Sequence, residues 1–161
     1  MAIAIYPGSF DPVTLGHLSV IRRAKGFSEK LIVLVSHNPS KKTLFSSQER
    51  ISLIEQSLNE LGLSGIEVRA LDNGLLAEQA KSLGAQIIIK GLRTAADLDY
   101  ELQFASMNRD LTKVETVFLP TEPQYSQISS SLIREVAVLG GDVSNHVTKA
   151  VSKALAEKVG K

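Results

Sequence analysis

Short apolar runs alternate along the chain with longer stretches in which apolar residues return every three or four positions. The runs are residues 2–6 (AIAIY), 31–36 (LIVLVS), 66–71 (IEVRAL), 86–90 (QIIIK) and 115–119 (ETVFL), the third being the weakest. Continuous Ile, Val and Leu over so few residues suits strands covered on both faces, as in a parallel sheet. Helical periodicity fills the gaps. One helix is expected from near Gly16 to about Lys25. A second starts at Ser46, where Ser46-Ser47-Gln48-Glu49 forms a capping box, carries Ile51, Ile54, Leu58 and Leu61 on one stripe, and stops at Gly62. A third covers about residues 75–83 and a fourth about 96–109; a fifth begins within Ser129-Ser130-Ser131 and ends at Gly140-Gly141. A last helix over about residues 145–158, in the chain's 145–161 tail, puts Val147, Val151 and Leu155 on one side.

Strand–helix alternation predicts one α/β domain over residues 1–161, a doubly wound five-stranded parallel sheet with helices on both faces. With strand order 3-2-1-4-5, ligands bind beyond the carboxyl ends of strands 1 and 4, where the chain reverses its winding. The segments that follow those two strands are therefore the first places to look for chemistry.

The first runs from Tyr6 to His17, YPGSFDPVTLGH. Gly8 and Gly16 allow close backbone approach, the helix start near His17 offers N–H groups and a positive dipole end to an anion, and Ser9 and His17 flank the pocket. A lone histidine in such a corner is more often packed than reactive. The second is Ile89-Lys90-Gly91-Leu92-Arg93, a glycine between a point charge and a planar fork, both suited to phosphate. Pro39-Ser40-Lys41-Lys42 leaves the same sheet edge after the second strand. Tyr125, Ser126, Gln127, Ile128, Ser129, Ser130 and Ser131 follow the fifth strand and open a helix; one serine is explained as an N-cap, and the others would suit a phosphate or ribose. Asp97, Tyr100, Glu101 and Phe104 share one helix face. Two readings of that face stand: an ordinary amphipathic helix with Phe104 in the core, or a face on which Asp97 or Glu101 meets the ligand or orients Arg93.

Composition narrows the classes. There are no cysteines, which removes disulfides, thiolate metal sites and cysteine nucleophiles. The net charge of +1 lacks the basic excess of a general nucleic-acid binder, so an anionic ligand must be held by a local cluster. No apolar run approaches the roughly 18 residues of a membrane span, and the amino terminus has no signal-peptide pattern. The expectation is a cytoplasmic protein with no nucleic-acid and no membrane partner.

These segments together resemble the phosphopantetheine adenylyltransferases. GSFDPVTLGH carries the T-x-G-H form, Thr14 to His17, of a wider nucleotidyltransferase motif. The likeness continues through Pro39-Ser40-Lys41-Lys42, Gln48-Glu49-Arg50, Gly91-Leu92-Arg93, Asp97-x-x-Tyr100-Glu101, Met107-Asn108-Arg109 and Ile128-Ser129-Ser130-Ser131, covering about residues 2–145. The resemblance implies a Rossmann-like fold, a homohexamer, and reversible adenylyl transfer from ATP to 4′-phosphopantetheine with magnesium, giving dephospho-coenzyme A and pyrophosphate. It implies that ATP is bound by Ser9, Phe10, His17, Gly91, Leu92, Arg93, Glu101 and the seven residues Tyr125 to Ser131. Phosphopantetheine would be bound by Ser9, Lys41, Leu76 and Lys90, with His17 as transition-state stabiliser. Ser9, Lys90 and Leu76 stand where many or some members have Thr, Arg and Met. Lys90 keeps the charge but loses the fork.

Chemically, the acceptor phosphate is already ionised near neutral pH and needs no general base. Lys41, Lys90 and Arg93 would offset repulsion between two anions, Ser9 would orient a phosphate, and His17 would donate a hydrogen bond to the α-phosphate. His17, Ser9, Lys41 and Arg93 are therefore the catalytic set. Two other readings stay open: a related nucleotidyltransferase with another phosphorylated acceptor, and a nucleotide-binding module without catalysis.

Overall fold

The computed structural model of the chain describes residues 2–36, 42–71 and 74–160. Its elements are β1 (Ala2–Gly8), α1 (Leu15–Phe27), β2 (Ser28–Val35), α2 (Ser47–Glu60), β3 (Ile66–Ala70), α3 (Leu76–Ser82), β4 (Ile87–Leu92), α4 (Ala95–Thr112), β5 (Glu115–Pro120), a short 3-10 turn (Pro123–Tyr125), α5 (Ser130–Val138) and α6 (Lys149–Lys158). The strands form one parallel sheet of order β3-β2-β1-β4-β5, as the alternation predicts.

Register explains where a ligand can enter. β1 runs beside β2 from Ala2↔Ser28 to Gly8↔Val35. Beside β4 it pairs only at Ala4↔Ile87 and Ile5↔Ile88. Beyond Ile5 the two central strands part, β1 staying with β2 and β4 with β5. A cleft opens at the carboxyl edge, at the switch in winding direction.

Two cores hold the sheet. Ala4, Tyr6, Leu31, Val33, Val35 and Ile89 pack with α1, α2, α5 and α6 on one face. Ile5, Ile32, Leu34 and Ile88 pack with Ala80, Ala85 and Val114 on the other. Each buried Ile or Leu contributes on the order of 1.5–3 kcal/mol, so the sheet is the stable platform on which the loops stand.

Three details depart from the sequence reading. The buried face of α2 is Arg50, Leu53, Ile54, Ser57 and Leu58, whereas Leu61 caps the helix at 47% exposure. The stripe is turned toward Arg50, which is fully enclosed. α6 starts at Lys149 and not at Asn145, because residues 143–146 turn: the His146 N–H bonds the Val143 carbonyl, while the His146 carbonyl accepts from the Leu15 N–H at 2.9 Å. Val147, Val151 and Leu155 are nevertheless buried together. Phe104 is not in the core; it is 49% exposed, and Asn108 is the buried residue of α4. Among the described residues, no helix is long and apolar enough to cross a membrane.

Candidate active site

The cleft beyond β1 and β4 has a volume of about 500 Å³. His17 and Tyr125 line it from one side, Lys90, Gly91, Arg93, Asp97 and Glu101 from the other, with Phe10, Ile128, Ser129, Ser130 and Ser131 also on its wall.

His17 is held by the cap of its own helix. Thr14 is the N-cap of α1; its hydroxyl accepts from the His17 N–H, and its backbone N–H donates to His17 Nδ1 at 3.1 Å. The Thr14 hydroxyl lies 3.0 Å from the same nitrogen. An imidazole nitrogen that accepts an N–H bond carries no proton, so the neutral ring bears its hydrogen on Nε2. Burial, with the Arg93 charge adding to it, lowers the His17 pKa to about 4. At neutral pH His17 is thus an uncharged Nε2–H donor. The remaining N–H groups at this helix start are fewer than the sequence suggests, since the Leu15 N–H is taken by His146 and the His17 N–H by Thr14. Among the described residues the Gly16 N–H has no partner and is the one left in the first turn.

Phe10 braces the ring. It adopts the left-handed backbone region (φ 48°), which costs a bulky residue energy and persists only where its surroundings enforce it. Its ring meets His17 edge-on at 5.1 Å and Tyr6 at 5.3 Å. Gly8 must be glycine here, because a Cβ would stand 2.8 Å from Phe10 Cζ.

Across the cleft the cations are paired with carboxylates. Lys90 Nζ sits 3.2 Å from Glu101 Oε2. Arg93 Nε sits 3.5 Å from Asp97 Oδ2, and the same carboxylate accepts the Arg93 and Thr94 N–H groups. Asp97 therefore orients Arg93 and leaves the terminal guanidinium nitrogens without a partner among the described residues. The three serine hydroxyls are all engaged: Ser129 accepts the Leu132 N–H, Ser130 donates to the Pro12 carbonyl, and Ser131 accepts from Arg134. What α5 offers a ligand is its first backbone N–H groups, at Ser130 and Ser131.

Ser9 lies between Gly8 and Phe10 of the cleft wall, Leu92 between Gly91 and Arg93, and Ser126 and Gln127 between Tyr125 and Ile128. Leu76 starts α3 and packs with the second core. Lys41, with Pro39 and Ser40, lies outside the described residues.

Comparison with known proteins now decides the family. Residues 5–136 match the cytidylyltransferase-like family. The chain is 51% identical over 155 residues to the phosphopantetheine adenylyltransferase of Paenarthrobacter aurescens, covering 96% of this chain and 92% of that one. It is 50% identical over 159 residues to the enzyme of the same name from Alkaliphilus metalliredigens, covering 98% and 99%. The chain belongs to the phosphopantetheine adenylyltransferase family. Solved structures share the fold: a bifunctional NMN adenylyltransferase/ADP ribose pyrophosphatase from Francisella tularensis (TM-score 0.76, 15% identity, covering 100% of this chain and 51% of that one) and the nicotinic acid mononucleotide adenylyltransferase of Plasmodium falciparum (TM-score 0.69, 16% identity, covering 97% and 94%).

Three residues to which the sequence assigns no role brace the cleft of this adenylyltransferase family member. Arg50 is 0% exposed; its Nη1 donates to the carbonyls of Ser9 at 2.6 Å and Ser36 at 2.8 Å, and its Nη2 to Ser47 Oγ at 3.0 Å. Burial works against its charge, and Asp11 supports it. Asp11 is itself buried and accepts the Leu44 and Phe45 N–H groups at 2.8 and 2.9 Å. Arg134 reaches back from α5 to Asp11. The loop after β1 is thereby tied to β2, α2 and α5. Helical spacing gives the signal for Arg50, which precedes Leu53, Ile54, Ser57 and Leu58 at i+3, i+4, i+7 and i+8.

The described residues include no group of three His, Cys, Asp or Glu able to hold a metal ion. Asp97 and Glu101, the carboxylates on the cleft wall, are each committed to a cation. The donor set does not fit a protein-built magnesium site.

Proposed function

We propose that this cleft carries out reversible adenylyl transfer from ATP to 4′-phosphopantetheine. The phosphate oxygen of the acceptor attacks the α-phosphorus in line, the bond to the bridging oxygen breaks, and pyrophosphate leaves as dephospho-coenzyme A forms. The observation that carries the reading is that His17 and Arg93, contributed from opposite sides of the β1–β4 switch, line one cleft. No proton has to be removed from the acceptor, so the task is to hold two anions together and to receive charge as it shifts. His17 Nε2–H is the donor to the α-phosphate, and Arg93 offers its terminal nitrogens to the polyphosphate. Lys90 meets the acceptor phosphate once that anion competes with Glu101 for it. Ser9 and Lys41 complete the catalytic set, and Leu76 contributes to the acceptor's binding. Phe10, Gly91, Leu92, Glu101 and the residues Tyr125 to Ser131 complete the ATP site. Magnesium enters as the counter-ion of ATP.

The same reading places the reaction in the cytoplasm and the chain in a homohexamer. Self-association is supported by α4, an 18-residue helix on which Tyr100, Leu102, Phe104, Met107 and Leu111 are all about half exposed, a concentration of apolar side chains on one element. Pyrophosphate release from ATP tests the function. Release is expected only with 4′-phosphopantetheine added, and release driven equally by nicotinamide mononucleotide or glycerol phosphate would overturn it.

A further inference from the structure

Tyr6 carries a polar group that finds no partner among the described residues. The residue is 5% exposed and lines the cleft. Among the described residues its hydroxyl makes no hydrogen bond. The side-chain atoms that are both fully enclosed and unpartnered are Arg50 Nε and Thr116 Oγ1, so the Tyr6 hydroxyl, which is neither, keeps contact with open space. That space is the cleft.

Its position follows from the register. β1 and β4 pair at Ile5↔Ile88 and then separate, and Tyr6 is the first residue of β1 beyond the last pair. Its ring is fixed edge-on against Phe10, so the hydroxyl cannot swing away without disturbing the contact that braces His17. The hydroxyl faces Gly91 of β4: a Cβ on Gly91 would stand 3.3 Å from Tyr6 Oη and 3.3 Å from Val20 Cγ2. The bare Gly91 backbone is what lets the phenol sit this close to β4 at the cleft wall. Burial raises the phenol pKa, with Arg93 opposing, so the group stays protonated and can both donate and accept. A buried polar group without a partner is costly, and one aimed into a binding cleft finds its partner in the ligand.

We propose that the Tyr6 hydroxyl hydrogen-bonds an oxygen of the nucleotide held between β1 and β4, making Tyr6 a substrate contact in its own right. The proposal rests on the adenylyl-transfer reading of the cleft. The oxygen belongs either to the ribose or to the phosphate chain, and both would use the same donor.

Tyr6→Phe removes one oxygen and keeps the ring and its contact with Phe10. Binding is measured by calorimetry on the wild-type chain and the variant, with ATP, inorganic tripolyphosphate and 4′-phosphopantetheine, beside thermal melting. The expected result is a roughly three- to tenfold rise in the Kd of ATP, the size of one lost neutral hydrogen bond, with the acceptor's Kd and the melting temperature unchanged. A parallel rise for tripolyphosphate assigns the oxygen to a phosphate; no rise there assigns it to the nucleoside. Unchanged ATP binding overturns the proposal, as would happen if the hydroxyl only held a water. So does an effect confined to the acceptor, or an equal loss for all three ligands with a lowered melting temperature. If Tyr6→Phe does not fold, ¹³C-labelled tyrosine in the wild-type chain replaces it, with Tyr6 assigned by elimination using Tyr100→Phe and Tyr125→Phe. A Tyr6 ring-carbon shift on adding ATP supports the contact, and no shift overturns it. Wild-type chain that binds ATP but releases no pyrophosphate would sink the adenylyl-transfer reading while leaving the Tyr6 contact testable by the same binding measurements.

Discussion

Replacing His17 with alanine is expected to lower kcat by about a hundredfold or more while ATP affinity changes by no more than a few-fold, the pattern for losing a donor aimed at charge that develops in the transition state. The expectation follows from how the ring is built. Thr14 occupies Nδ1, and burial with Arg93 keeps the imidazole neutral down to about pH 4. What remains is one Nε2–H. Such a group stabilises the α-phosphate oxygen more as bonding changes than in the ground state, so its loss registers in turnover. His17→Gln, which retains a side-chain N–H, is expected to fall between the two. Steady-state kinetics and equilibrium ATP binding check this together; equal losses in binding and turnover would show that His17 serves affinity instead.

The largest effect on stability is expected from Arg50→Met. The volume is roughly kept, but the carbonyls of Ser9 and Ser36 lose their donor in the interior, and Asp11 loses a supporting charge. Each carbonyl left unsatisfied costs about 1–3 kcal/mol, so the variant is expected to be less stable by about 2–6 kcal/mol. Turnover should fall as well, because the Ser9 loop that carries Phe10 against His17 is no longer tied to the end of β2. Arg50→Lys keeps one charge but cannot span two carbonyls and a hydroxyl, and should recover only part of the loss. Denaturant unfolding measures the first effect. A variant as stable as the wild type would show that water or a shifted loop satisfies both carbonyls, and that the clamp is dispensable.

The sheet was legible because apolar runs without alternation announce buried parallel strands, and the Ser46–Glu49 capping box was legible because its two hydrogen bonds are local: Glu49 N–H to Ser46 Oγ at 3.2 Å and Ser46 N–H to Glu49 Oε2 at 2.7 Å. Long-range ties were not. Helical spacing puts Arg50 on the buried stripe of α2, but only the β1 and β2 ends it meets in space explain what a charge does there. Asp11 and Arg134 meet across 123 positions, which no local pattern reports. In the serine run the Ser129 cap is local and legible, but the bond from Ser130 to the Pro12 carbonyl is long-range, and the Arg134 that meets Ser131 is positioned by Asp11. Phe104 fits an amphipathic stripe whether the stripe faces a core or another surface, and periodicity alone does not distinguish the two. The clustering of cations near the cleft was legible; their pairing was not, for an anion must displace Glu101 to reach Lys90, whereas Asp97 holds Arg93 by Nε and leaves its terminal nitrogens open.

The protonation of one ring is the point at which the mechanism is most exposed, and ¹⁵N NMR of imidazole-labelled protein, with a non-reacting ATP analogue bound, reads it directly. Near neutral pH His17 should appear as the tautomer with a bare Nδ1 and a hydrogen on Nε2. A ring protonated on Nδ1 with Nε2 bare would make His17 an acceptor and contradict the donor role on which the catalytic account depends.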